Sequence, residues 1–284
     1  MYSRTYQRLV TIPPLLWVGV FLLAPYCFLF CISFWQVQSQ QIVHHWNLQE
    51  YALLFRNPVY LEVLARSARI AGVVTSATLL LGVPLAYFVS QRTARFKSLL
   101  YQLVIIPLWV SYLVRAYAWK TILGGDGILN TLLMHLGVLH QPASFLLYSP
   151  FAVILTLTHI YTPFVFLPVY ASMEHIPKPL LEAALDLGAS RARTFWTVIF
   201  PLALPGVIAG ATFAFVLSLG DFIAPLLIGG PNGIMISNIV VSLFGAAYDW
   251  PLGSAISVCV LILVVGLITV TDLLDRRLRL RGAR

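Results

Sequence analysis

An acidic residue stranded in an apolar run is the first place where this chain could do chemistry. Asp221 sits in the run Leu204–Leu227, and a charge within a membrane span is a functional hypothesis by default. Its carboxylate could meet a cationic ligand. It could equally pair with Arg66, Arg69, Arg115 or Lys120, or stand at a hydrated helix end. Tyr112 and Tyr161 either offer ring faces to an ammonium group by cation–π contact or pack as ordinary aromatics. His159 reads as a hydrogen-bonded residue of a helix bundle, and His44-His45 lacks companion ligands. Cys27 and Cys31 share a helical face, but two thiols alone make a poor metal site, so no metal is expected. No Gly-x-Ser-x-Gly elbow or His-Glu-x-x-His pair occurs, which argues against a membrane enzyme.

The second group of candidates is Glu182, Ala183, Ala184, Gly188 and Pro201, in a polar segment between two long apolar runs. Pro177 and Pro179 suit a first helical turn, so a short helix begins near Lys178–Leu180, with Glu182 in its first turn favoured by the helix dipole. Ala183 and Ala184 keep one face small enough for a partner to approach closely. Gly188 ends the helix or turns the chain, because it tolerates positive φ. Arg191 and Arg193 follow, and Pro201 with Pro205 redirects the chain into the next span.

The elements that must position these groups follow from composition. The 284 residues are 60% hydrophobic and 10% charged, against about 25% charged in soluble domains. Six runs reach the roughly 20 residues a membrane helix needs: Ile12–Phe34, Ile70–Ser90, Leu99–Trp119, Ser149–Met173, Leu204–Leu227 and Leu252–Leu274. Lipid tolerates no unpaired backbone, so all six should be helices, with their prolines as kinks. The first run is too long for a cleaved signal core and is read as a retained anchor.

Arg4 and Arg8, Arg92, Arg95 and Lys97, Lys178, Arg191 and Arg193, and Arg276, Arg277, Arg279, Arg281 and Arg284 all fall on one side of these runs. That bias predicts both termini in the cytosol, with the Glu182 segment on the same side. The net charge of +8 is thus a topology signal directed at lipid, not at nucleic acid. The stretch Ile234–Ala247 is expected to lie on or re-enter the outer surface as a short helix.

The spacing Glu182-Ala183-Ala184, three residues, Gly188, then Val198-x-Phe200-Pro201 resembles the cytoplasmic coupling loop of type I ABC-importer permeases. The stretches LLEAALDLGASRARTFWTVIFPLALPG (Leu180–Gly206), LVRAYAWKTIL (Leu113–Leu123), GDFIAPLLIGG (Gly220–Gly230) and YDWPLG (Tyr248–Gly253) resemble the permeases of spermidine/putrescine importers. Val198 and Phe200 stand where Ile and Leu are commoner, and both remain apolar.

The resemblance implies an all-α permease with six transmembrane helices, N-in/C-in, in the bacterial inner membrane. It divides the chain into an anchor and outer loop (1–65), a permease domain (66–275) and a basic tail (276–284). It implies two ATPase subunits, a second homologous permease and an extracytoplasmic solute-binding protein as partners. Lys120-Thr121 has no glycine-rich turn before it, so ATP and Mg would be used by the partner ATPase, with no cofactor on this chain. Polyamines are the leading cargo; relatives with similar loops import ferric iron, opines or phosphonates. An ion-coupled secondary transporter would carry internal repeats and several intramembrane acids, whereas one acid, Asp221, lies well inside a span here.

Overall fold

The computed structural model describes residues 4–38, 41–92 and 95–282. The side chains of Arg4, Arg8, Arg92 and the arginines from Arg276 onward lie outside the described residues, so the charge bias they contribute rests on sequence. In chain order the elements are α1 (Thr11–Ile32), β1 (Gln36–Gln38), β2 (Gln41–Val43), α2 (Gln49–Arg56), α3 (Pro58–Gln91), α4 (Lys97–Trp109), α5 (Tyr112–Leu123), α6 (Ile128–His135), α7 (Pro150–Glu174), α8 (Lys178–Asp186), α9 (Arg191–Gly220), α10 (Pro225–Gly233), α11 (Ile236–Phe244) and α12 (Trp250–Gly282). Five are helices long and apolar enough to cross a membrane; α4 with α5–α6, and α10 with α11, are bent pairs that bring the number to as many as seven.

Contacts divide the chain into two compact units. The first comprises residues 1–62 and 239–263. In it only 6% of an apolar 18-residue stretch of α1 is buried, as lipid-facing leucines and aromatics require. The antiparallel pair β1–β2 follows, with Gln36 opposite Val43. The Tyr51 hydroxyl on α2 donates to Ser33 Oγ at 2.8 Å, tying the loop helix to the end of α1. Burial, and then the negative charge of Asp249, push the Glu50 carboxyl up to about 7.

The second unit comprises residues 63–238 and 264–284. Its axis is α7, in which 61% of an apolar 18-residue stretch is buried. One apolar cluster gathers Ile70, Val74, Leu157, Ile160 and Ile228 around the Tyr161 half of α7. Another gathers Ala86, Val165, Phe166, Val169, Met173 and Ala203 around its other half. Close approach of α7 and α9 depends on Gly206 and Gly210, four apart on one face of α9. A Cβ at Gly206 would collide with Ser172 Oγ and the Pro168 carbonyl, and one at Gly210 would lie 3.1 Å from the Val165 Cα. Small residues at such spacing let membrane helices pack backbone to backbone, where dispersion replaces the hydrophobic effect. Gly206→Leu is therefore expected to lower the thermal midpoint in detergent by roughly 5 °C or more. An unchanged midpoint would show that the interface has slack.

Three expectations about the spans are corrected. The run Leu99–Trp119 is not one helix kinked at Pro107: it breaks after Trp109 and turns by 94°. Val110 and Ser111 are extended, with ψ of 134° and 136°. Pro107 withholds an N–H from the last turn, and a β-branched residue followed by serine disfavours its continuation. The run Leu204–Leu227 ends its helix at Gly220, and Asp221 is extended at φ −72°, ψ 127°. Nor does Pro201 redirect the chain, because α9 runs through it. A wide turn at Phe195–Ile199, in which the Phe200 N–H reaches the Phe195 carbonyl, precedes the proline. The same device, Gly19–Leu23, precedes Pro25 in α1. The widened turn makes room for a ring that would otherwise press on the preceding carbonyl.

Candidate functional site

The two tyrosines named from sequence both point at the acid. Tyr161 on α7 donates its hydroxyl to Asp221 Oδ2 at 2.6 Å, and the Tyr112 hydroxyl on α5 donates to the same oxygen. The other oxygen, Oδ1, accepts the Ala224 N–H at 3.1 Å, three residues on, in the manner of a helix N-cap. The Asp221 carbonyl accepts the Ser237 hydroxyl at 2.5 Å. Each contact depends on a break in a helix. The bend at Val110–Ser111 makes Tyr112 the first residue of α5, and the end of α9 at Gly220 frees Asp221 to cap the next helical turn.

Asp221 and Tyr161 are 7% and 6% exposed, so the carboxylate is buried with both oxygens occupied. Among the described residues it forms no ion pair with Arg66, Arg69, Arg115 or Lys120. The alternative of a salt bridge at Asp221 is thus replaced by hydrogen bonds. A carboxylate that accepts two hydroxyls can exchange one of them for another donor, which is the chemistry an ammonium group offers. Arg115 stands beside this node with its guanidinium carbon 5.9 Å from the Tyr112 ring centroid. Its Nε and one terminal nitrogen are buried without a hydrogen-bond partner.

A cavity of about 490 Å³ opens in the elbow of the bent pair, lined by Leu81, Pro107, Trp119, Thr158, His159 and Thr162 among others. The Trp119 indole N–H donates to His159 Nδ1 at 3.1 Å, which leaves the proton of a neutral ring on Nε2. None of Tyr112, Tyr161 and Asp221 lines this cavity. Apolar length alone does not disclose it, because the elbow that creates it lies in a run that reads as a single span kinked at Pro107; Pro107 and Ser111 are the available signals.

The Glu182 segment forms α8, with Pro177 as its N-cap. Glu182 lies one residue past the first turn, a small correction that comes from the helix starting at Lys178. Gly188 has φ +79°. Its N–H donates to the Leu185 carbonyl at 2.9 Å and the Ala189 N–H to the Ala184 carbonyl at 3.1 Å. Those two bonds are a Schellman ending, which needs a left-handed residue at Gly188. Ser190 then caps α9 by accepting the Arg193 N–H at 3.3 Å. Leu180 and Leu187 are 47% and 88% exposed, and Glu182 and Ala183 are exposed with them. A cleft of about 220 Å³, lined by Gln91, Leu181, Leu185, Arg191 and Thr194 among others, lies beneath the helix.

With this geometry in hand, likenesses to known proteins become informative. The spermidine/putrescine transport system permease protein PotB of Escherichia coli (strain K12) is 38% identical over 252 residues, covering 88% of this chain and 90% of the relative. PotB of Haemophilus influenzae is 34% identical over 283 residues, covering 98% of each. A bacterial alginate ABC transporter, solved in complex with an alginate pentasaccharide-bound periplasmic protein, matches with a TM-score of 0.78 at 16% identity, over 96% of this chain and 94% of that one. The shared fold is that of type I ABC-importer permeases, all-α and multi-pass. The family model described as binding-protein-dependent transport system inner membrane component matches residues 79–281. This chain belongs to that family: it is an inner membrane permease component of a binding-protein-dependent transport system.

Proposed function

We propose that the chain is the permease subunit of an ATP-driven importer of polyamines such as spermidine and putrescine. The observation that carries the cargo is identity of 34–38%, over 88–98% of the chain, with permeases named for those solutes. Both termini lie in the cytosol in this reading, and α8 with Gly188 and Pro201 is the coupling loop. A separate ATPase pair holds ATP and Mg and docks on the exposed face of Leu180, Ala183 and Leu187. A second permease completes the channel, and a solute-binding protein delivers cargo from outside. Residues 1–65 serve as anchor and outer loop, 66–275 as the transport domain and 276–284 as a basic cytosolic tail.

ATPase closure moves α8, and the bundle converts that movement into outward opening. Tyr112, Tyr161 and Asp221 act on the pathway: an ammonium group takes the place of one tyrosine hydroxyl on Oδ2 when the break after α9 opens. Uptake of radiolabelled spermidine, in cells lacking their own polyamine uptake and expressing this permease with its companion genes, tests the proposal. Saturable, energy-dependent uptake competed by putrescine is expected. Uptake of 2-aminoethylphosphonate or ferric iron in its place would overturn the cargo and leave the family intact.

A further inference from the structure

Lys97 Nζ lies 2.6 Å from Glu174 Oε2 and 2.7 Å from Oε1. Lys97 is the first residue of α4 and Glu174 the last of α7. Two further contacts hold the same corner. Gln91 Nε2 donates to the Met173 carbonyl at 3.0 Å, and the Lys97 ammonium sits 5.9 Å from the Tyr170 ring centroid. Three residues separate Glu174 from α8. Ile176 among them is buried, 7% exposed, in the apolar core, and Pro177 has its φ fixed by its ring. Helix α8 therefore hangs on a short, anchored connection from the residue that holds Lys97.

Farther along, α7 at its midpoint and the chain just beyond α4 both reach Asp221. Helix α4 has 13 residues and ends at the bend, beyond which Tyr112 donates to Oδ2. Tyr161, about 20 Å along α7 from Glu174 at ~1.5 Å per residue, donates to the same oxygen. Helix α4 and the Tyr161–Glu174 half of α7 are struts of similar length, closed into a frame by an ion pair at one end and by a shared carboxylate oxygen at the other. Sliding of one strut against the other must break one of the two closures. The ends differ in kind. Asp221 is buried, whereas the side chains of Lys97 and Glu174 are 31% and 43% exposed. An exposed pair contributes little net stability and is weakened by salt, so it can open and reform at small cost.

We infer that Lys97 and Glu174 are positioning residues: a releasable latch through which movement of α8 is passed along α4 and α7 to the Tyr112–Asp221–Tyr161 node. The inference rests on the importer reading above and adds to it the route by which ATPase movement reaches Asp221. In proteoliposomes holding the full transporter complex, Lys97→Gln and Glu174→Gln should each lower solute imported per ATP hydrolysed by about fivefold, with ATP hydrolysis close to wild type. The charge swap Lys97→Glu with Glu174→Lys should restore at least half of the ratio. The wild-type ratio should also fall as salt rises from about 50 to 500 mM, and the Lys97→Gln ratio should not. That second measurement needs only one variant to assemble. A wild-type ratio in both single variants, no recovery in the swap, or the same salt response in wild type and Lys97→Gln would each overturn the latch. A wild-type complex without ATP-dependent uptake would instead overturn the importer reading itself.

Discussion

Gly188→Val should cost the permease its ATPase. Co-purification of the proposed ATPase subunit is expected to fall by tenfold or more, while the permease still reaches the membrane. The argument starts from one dihedral. Gly188 holds φ +79°, a region that costs an L-residue about 1–2 kcal/mol, and a β-branched one more. The strained residue must also keep the Gly188–Leu185 and Ala189–Ala184 bonds that end α8, each worth about 0.5–1.5 kcal/mol. Relief of the strain by unwinding the last turn displaces Leu187, 88% exposed and at the tip of the proposed docking face. About 1.4 kcal/mol is a factor of ten in an association constant. No atom outside the local chain lies within 4 Å of where a Cβ at Gly188 would stand, so a clash inside the permease is not the cause. Gly188→Asn separates the remaining causes, since asparagine tolerates this conformation better than other residues with a side chain. Near-normal ATPase retention by the asparagine variant and loss by the valine variant locate the effect in the backbone. Equal retention by both would remove Gly188 from the coupling role.

How much of the structure is legible in the sequence depends on how local each feature is. The start of α8 at Lys178 and the left-handed turn at Gly188 that stops it are written in neighbouring prolines and one glycine, so both are legible. The apolar runs locate membrane helices for the same reason: hydrophobic length is a one-dimensional quantity. The bend at Val110–Ser111 is only partly legible: Pro107 announces a kink, but apolar length is blind to a full two-residue break that neighbouring helices stabilise. Two consequences are hidden with it, the elbow cavity by His159 and the arrival of Tyr112 at Asp221. The three residues of the node each stand out by chemical type, yet sequence directs attention to the ring faces of the tyrosines, and it is their hydroxyls that bind. Lys97 and Glu174 are unreadable as a pair, since they lie 77 positions apart and only packing brings the ends of α4 and α7 together.

Asp221→Asn should separate the two things its carboxylate can do. The full deletion, Asp221→Ala, is uninformative on its own. It strands the Tyr112 hydroxyl and the Ala224 N–H, and leaves the Tyr161 hydroxyl only the Leu217 carbonyl at 3.3 Å. A buried donor left unpaired costs about 1–3 kcal/mol, so Asp221→Ala is expected to lose folded protein as well as transport. Asparagine is gentler. Its carbonyl can keep the Ala224 cap, and its amide can donate to a tyrosine hydroxyl, which accepts as readily as it donates. The variant should fold, with a thermal midpoint within a few degrees of wild type, and differ mainly in lacking charge. If an ammonium of the solute takes a place on Oδ2, the lost charge removes a charge-assisted hydrogen bond worth about 1.5–3 kcal/mol, and uptake falls at least tenfold. If Asp221 only ends α9 and caps the chain beyond it, uptake tracks stability and stays near normal. Tyr161→Phe supplies the complementary measurement. It frees one position on Oδ2 without altering charge, so a solute-binding role predicts uptake that is retained or raised at low solute concentration, whereas a purely structural role predicts a loss in proportion to the lowered midpoint. Normal uptake by Asp221→Asn, together with impaired uptake by Tyr161→Phe, would exclude the carboxylate from the transport pathway and leave it as the pin that holds α5, α7 and the end of α9 together.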